Sequence, residues 1–161
     1  HVVANSDTEE DQNLKLQVKT GIVDYLEEVL GEDRSLDATK EGVLTHLDEI
    51  EKTARQVMAD RGYDYTVTAA VEKTYFPDKT YGDCTFPAGE YEALNVKIGE
   101  AKGHNWWCVL YPSLCFIDES HGVVSEDKKE DLKEVLTEEE FQAVLNDPEK
   151  RDKVKIGFKW F

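Results

Sequence analysis

Apolar residues recur at intervals of four near the start of the chain: Leu14, Val18, Ile22, Leu26 and Leu30, with Tyr25 and Val29 beside them. That spacing lays one apolar stripe along a helix, and Gly31 supplies a stop. Ser6, with Glu9 three residues on, reads as a capping box that starts the helix. Asp7, Glu9, Glu10 and Asp11 place carboxylates where the helix dipole is positive. A second helical pattern opens at Ser35 and steps through Val43, Leu47, Ile50, Ala54 and Val57 to Gly62. Unbroken, it would run about 25 residues and ~38 Å, too long for a domain of this size. A break is expected between His46 and Asp48.

From Asp64 the period falls to two. Val67, Ala69 and Val71 alternate with polar residues in a strand that runs toward Phe76-Pro77. Asp78 to Gly89, rich in Gly, Asp and Pro, reads as a loop. Glu92 to Ile98 alternates again, Gly99 to Gly103 is a turn, and Trp106 to Tyr111 is a strand-like run stopped by Pro112. Past Asp118 the chain turns polar. Leu132 to Leu136 suggests a short helix, and Thr137 with Glu140 caps another through Asn146. Val154 to Phe161 alternates as a closing strand, and His1-Val2-Val3-Ala4 has the apolar look of a strand. Helices come first, then strands, then a helix and a strand. The order predicts a single α+β domain over residues 1–161, with helices packed on one face of a mostly antiparallel sheet.

Composition narrows the function classes. The 161 residues carry a net charge of −16, and a chain of this length buries roughly two-thirds of its unfolded surface, enough for one core. Such an excess of acid argues against nucleic acid, whose phosphates require Lys and Arg, and against an anionic membrane surface. No apolar run of about 18 residues exists, so the chain inserts nothing across a bilayer. The charge is uneven: −9 over residues 1–60, −2 over 61–117, −8 over 118–152 and +3 over 153–161, and 11 of the 16 aromatics sit in the near-neutral middle. Those aromatics are sheet and core, with some exposed for a partner, because a sheet has two faces.

Three cysteines and four histidines invite chemistry. Cys108 and Cys115 flank Pro112, and a bridge between them would contribute ~2.5 kcal/mol by the chain-entropy model. Two buried thiols in an apolar hairpin fit the spacing equally. Cys84 is then an unpaired, partly buried thiol without function. His104, Cys108, Cys115 and His121 offer four metal-ligating side chains, but H-x3-C…C-x5-H matches no common zinc spacing, and no metal or cofactor is expected. Cys108 with His104 or His121 as base is the catalytic alternative, a small Cys-dependent hydrolase; it needs hydrogen-bond reach and a third, orienting group. Phosphate-loop, esterase and zinc-protease signatures are absent from the sequence.

Four stretches together resemble the stage II sporulation protein R family. They are His1-Val2-Val3-Ala4-Asn5-Ser6-Asp7 with Glu10-Asp11-Gln12, Tyr75-Phe76-Pro77 with Lys79-Thr80-Tyr81-Gly82-Asp83, Pro87 to Leu94, and Gly103 with Asn105-Trp106-Trp107-Cys108-Val109-Leu110-Tyr111-Pro112 and Leu114-Cys115-Phe116. The Asn-Trp-Trp-Cys block is the most specific. The resemblance implies a protein made in the forespore and exported by an N-terminal hydrophobic segment into the space between forespore and mother-cell membranes. There it would activate a membrane-embedded aspartic protease, the sigma-E factor processing peptidase, which cleaves pro-sigma-E. It would be a ligand with no catalytic residues and no small-molecule substrate. A start at His1 without Met fits an upstream segment that has been removed. On this reading the partner-binding surface comprises Tyr81, Gly82 and Asp83 together with Trp106 and Trp107. Asp83 supplies a directional polar contact and the aromatics supply area. Alternation along a strand turns one of the two Trp rings to the core, leaving at most one for a partner.

Overall fold

The computed structural model describes residues 1–31, 35–107 and 124–145. Among them lie β1 (Val2–Val3), α1 (Glu9–Leu30), α2 (Leu36–Thr45), α3 (Leu47–Ala59), β2 (Val67–Phe76), β3 (Lys79–Tyr81), β4 (Cys84–Phe86), β5 (Gly89–Ile98), β6 (Asn105–Trp106), α4 (Glu126–Val135) and α5 (Glu138–Val144). The class is α+β. Strands β2, β5, β1 and β6 form a four-stranded sheet in that order, and β3 and β4 form a separate hairpin. The four-stranded sheet is mixed: β1 runs parallel to β5, with Val2 opposite Val96, and antiparallel to β6, with Val2 opposite Trp106. Two compact units emerge, one of residues 1–72 and 94–107, the other of 73–93 and 108–161, so β2 and β5 each pass from one unit to the other.

In the first unit α1 packs on α3, α2, β1 and β6. The stripe of four works as expected: Leu14, Val18, Ile22 and Leu26 are buried. Val43 joins them from α2, and Ile50, Ala54 and Met58 from α3. Each Val, Leu, Ile or Met side chain among them contributes about 1.5–3 kcal/mol on removal from water. The long second pattern does break, at His46, whose N–H reaches the carbonyls of both Gly42 and Val43 while its Nδ1 lies 2.7 Å from Gly42 O.

The start of α1 differs from the expected cap. Thr8, not Ser6, is the N-cap, its hydroxyl accepting from the Asp11 amide. Ser6 and Thr8 both have the right chemistry, and the tie is broken because the Ser6 hydroxyl donates to the Asp11 carboxylate.

In the second unit, α4 packs on α5 and α5 on β4. The stretch from Asp78 to Gly89, expected as a loop, holds the β3–β4 hairpin, with Lys79 opposite Phe86 and Tyr81 opposite Cys84. Strands of three residues are too short to display an alternation. Helix α4 is also longer than the expected 132–136, because Leu132 alone is buried along it and a nearly all-polar helix shows no stripe. The Thr137–Glu140 capping box forms in full. The expected continuation of the Trp106 strand to Tyr111 and the closing strand at 154–161 lie outside the described residues.

Candidate functional site

The segment Asn5-Ser6-Asp7, with Asp11 and Gln12, builds a polar knot at the start of α1. Asp11 is only 5 % exposed. Its carboxylate accepts from Ser6 Oγ at 2.5 Å, Asn5 Nδ2 at 2.8 Å and the Tyr65 hydroxyl at 2.9 Å. The Ser6 hydroxyl leads these donors in holding the Asp11 carboxyl below the ordinary Asp range, against the opposing effect of burial. Asn5 Oδ1 accepts from the Glu100 amide, and Gln12 Nε2 donates to the Ser6 carbonyl. The 99–103 turn closes on this knot, the Gly103 amide donating to Ala4 O at 2.9 Å. A Cβ on Gly103 would run into the Ser6 carbonyl, and one on Gly99, held at φ +55°, into the Asn5 side chain.

Beyond the knot, Asp7 just ahead of α1 and Lys15 and Lys19 within it meet the start of β6. Asp7 Oδ1 accepts twice from His104, from its backbone amide at 2.7 Å and from its ring Nδ1 at 2.5 Å. The ring bond is the leading reason that the Asp7 carboxyl lies below its ordinary value. Lys15, 6 % exposed, donates its ammonium to Gln12 Oε1 and to the His104 carbonyl. Burial lowers the affinity of that ammonium for its proton, and the charge of Asp7 opposes the shift. Lys19 Nζ sits over the Trp106 ring, 5.3 Å from its centroid, a cation–π geometry. The neighbouring Trp107 ring stacks on His1, 4.7 Å centroid to centroid and 3° from parallel. Trp106 and Trp107 are both half-buried, so each keeps an open edge instead of one ring lying wholly in the core.

The other expected contact residues sit on the β3–β4 hairpin, in the second unit. Tyr81 is buried, its ring edge-on to Phe86 at 6.1 Å. Gly82, at φ +59°, is in the turn. Asp83 accepts from the Val124 amide at 2.8 Å and pairs with Lys129 Nζ at 2.7 Å. Burial works against its charge, but the Lys129 ammonium and the Val124 amide outweigh it and hold the carboxyl below its usual range. Within its own unit Asp83 therefore ties the hairpin to the start of α4. Cys84 beside it is fully buried, and desolvation pushes its thiol up to about 12.

Cys108, Cys115 and His121 lie outside the described residues, and with them the expected disulfide and most of the metal and nucleophile alternatives. Among the described residues no cluster of three His, Cys, Asp or Glu side chains is placed to hold a metal ion, and no helix is long and apolar enough to cross a membrane. A cleft of about 340 Å³ opens between α1 and the turn after α3, lined by Glu10, Asn13, Leu14, Gln17, Arg61 and Tyr63. Its guanidinium is already engaged, by Gln17 Oε1 and the Val57 carbonyl. Sequence reasoning missed Asp7, Lys15 and Lys19. The signal was present as D-x7-K-x3-K, from Asp7 ahead of α1 to Lys15 and Lys19 within it, but such a run of charges reads as a solvated face.

Fold and site together define a strongly acidic α+β protein in which a short aromatic strand is held by charged side chains at the start of the first helix and along it. A family model described as stage II sporulation protein R matches residues 1–121. The stage II sporulation protein R of Bacillus subtilis (strain 168) is 33% identical over 153 residues, covering 94% of this chain and 68% of that protein. The chain belongs to the stage II sporulation protein R family and takes a sporulation role from it. No solved structure matches it.

Proposed function

We propose that this protein is an exported signal. It acts in the space between forespore and mother-cell membranes and activates the membrane-embedded sigma-E factor processing peptidase, which then cleaves pro-sigma-E. On this reading the whole chain serves as one extracytoplasmic signalling domain, performs no catalysis and inserts nothing into the membrane. The observation that carries the reading is the braced pair Trp106–Trp107, the family's most specific block, half-exposed at the edge of the first unit. Tryptophan is over-represented among residues that dominate binding energy. A ligand of this kind switches its target only by binding one of the target's states more tightly than another. The test is a sporulating strain with a sigma-E-dependent reporter. Trp106→Ala, with the thermal melt of the purified variant near that of the parent, abolishes the reporter signal if the reading holds. Normal signalling by Trp106→Ala and Trp107→Ala alike refutes it.

One observation favours the hydrolase alternative enough to keep it in view. Asp7 engages His104 Nδ1, which is how a carboxylate orients a histidine base. Turnover of any ester or peptide substrate that disappears in both Cys108→Ser and His104→Ala would establish that reading in place of the first.

A further inference from the structure

We infer that Asp7, Lys15 and Lys19 are positioning residues: they fix the start of β6 against α1 so that Trp106 is presented in one orientation to the partner. The inference rests on the signalling role of Trp106 proposed above and names what sets its geometry. Three independent contacts reach three successive points of one short segment. Asp7 takes the backbone amide and the ring of His104, Lys15 takes the His104 carbonyl, and Lys19 covers the Trp106 ring. Both main-chain polar groups of His104 are therefore gripped, the amide by Asp7 just ahead of α1 and the carbonyl by Lys15 within it, immediately before the two-residue strand. A strand so short has a weak ladder of its own, which among the described residues is the pairing of Val2 with Trp106 and Val3 with Asn105. Contacts from outside the strand therefore add to what orients it.

The chemistry of the grip points the same way. A buried ammonium is costly unless its hydrogen bonds are made, and an apolar side chain would fill the Lys15 site without that cost. What the ammonium adds is direction: it bonds one carbonyl of the β6 approach and one side-chain oxygen of α1. Lys19 could extend to water, yet it lies on the indole face. Asp7 and His104 are both largely exposed, His104 by 83 % of its side chain. Their pairing is thus a surface clasp with little bearing on the core.

The experiment uses the whole chain labelled with ¹⁵N. It reads the Trp106 indole signal, assigned with Trp106→Phe, and the amide exchange of Asn105 and Trp106. Lys15→Met and Asp7→Ala speed that exchange and move the indole signal, while the amides of α5 keep their protection. Lys19→Met moves the indole signal, and Lys19→Arg, which restores a cation over the ring, returns it. In the sigma-E reporter Lys19→Met lowers activation about fivefold and Lys19→Arg recovers it. Unchanged exchange and an unchanged indole signal in all three variants overturn the inference, as does a failure of Lys19→Arg to restore the signal. If exchange and indole signal respond as stated but activation stays at the parent level, the brace stands and the docking role of Trp106 falls.

Discussion

Replacing Asp11 gives the sharpest stability test of the polar knot. Asp11→Ala removes the acceptor of three side-chain hydrogen bonds, from Asn5, Ser6 and Tyr65. Bonds to a charged partner contribute about 1.5–3 kcal/mol each. Asn5, Ser6 and Tyr65 are only half-buried and can recruit water once the carboxylate is gone, so the loss should fall well below the sum. A net cost of ~3 kcal/mol follows, with ~0.5 kcal/mol more for the lost carboxylate at a helix N-terminus. Asp11→Asn keeps an acceptor oxygen and should cost about half as much. Tyr65→Phe alone should cost ~1 kcal/mol, with a coupling to Asp11→Ala of similar size in a double-mutant cycle. Urea unfolding followed by circular dichroism at pH 7 measures all of these. The pH dependence follows from the direction of the shift. The Asp11 carboxyl lies below its ordinary value in the folded protein. Its contribution is therefore complete above the unfolded value of ~3.9 and disappears as pH falls through the lower folded value. The gap between the parent and Asp11→Asn should accordingly close below about pH 4. A gap under about 0.5 kcal/mol at pH 7, or one that does not change with pH, would refute this account of the knot.

Gly103→Ala forces a methyl group against the Ser6 carbonyl and should cost ~1–3 kcal/mol in the same unfolding assay, more than Gly89→Ala, where the nearest atom, Tyr91 Cε2, lies at an ordinary contact distance of 3.7 Å. Asp83→Ala breaks the ties to Lys129 and the Val124 amide; it should loosen the β3–β4 hairpin and raise amide exchange at Val124 and Thr85, leaving α1 and β6 amides unchanged. Because the Asp83 carboxyl also lies below its ordinary value, its contribution is present above about pH 4 and is lost on acidification. Cys84, with its thiol pushed up to about 12, should resist iodoacetamide at pH 8 in the folded protein and react on denaturation; rapid labelling of the native thiol would contradict its burial.

Local pattern carried the helices well. The four-residue stripe of α1, its stop at Gly31 and the Thr137 box all depend on neighbours a few residues apart, and all appear in the structure; the break at His46 was expected from the length of the unbroken pattern, not from its period. The β3–β4 hairpin was hidden because three-residue strands have no room for a period. Ser6 and Thr8 have equal capping chemistry, and the tie was broken by Asp11, which accepts from the serine and from the distant Tyr65. The candidate site was legible only in part. Its aromatic half, Trp106–Trp107, stood out by composition. Its charged half did not, since Asp7 and His104 are 97 positions apart and Lys15 and His104 are 89 apart. The ties of Asp83 were hidden for the same reason: Val124 lies 41 residues on and Lys129 beyond it.

Site-specific crosslinking puts the proposed contact to its most direct test. A photo-reactive benzoylphenylalanine replaces Trp106 in one strain and Thr68, exposed on β2, in another, in sporulating cells that carry a tagged sigma-E factor processing peptidase. The proposed role predicts an adduct with the peptidase from position 106 and none from position 68. An adduct from position 68 with none from 106, in cells where both variants still accumulate, would contradict it.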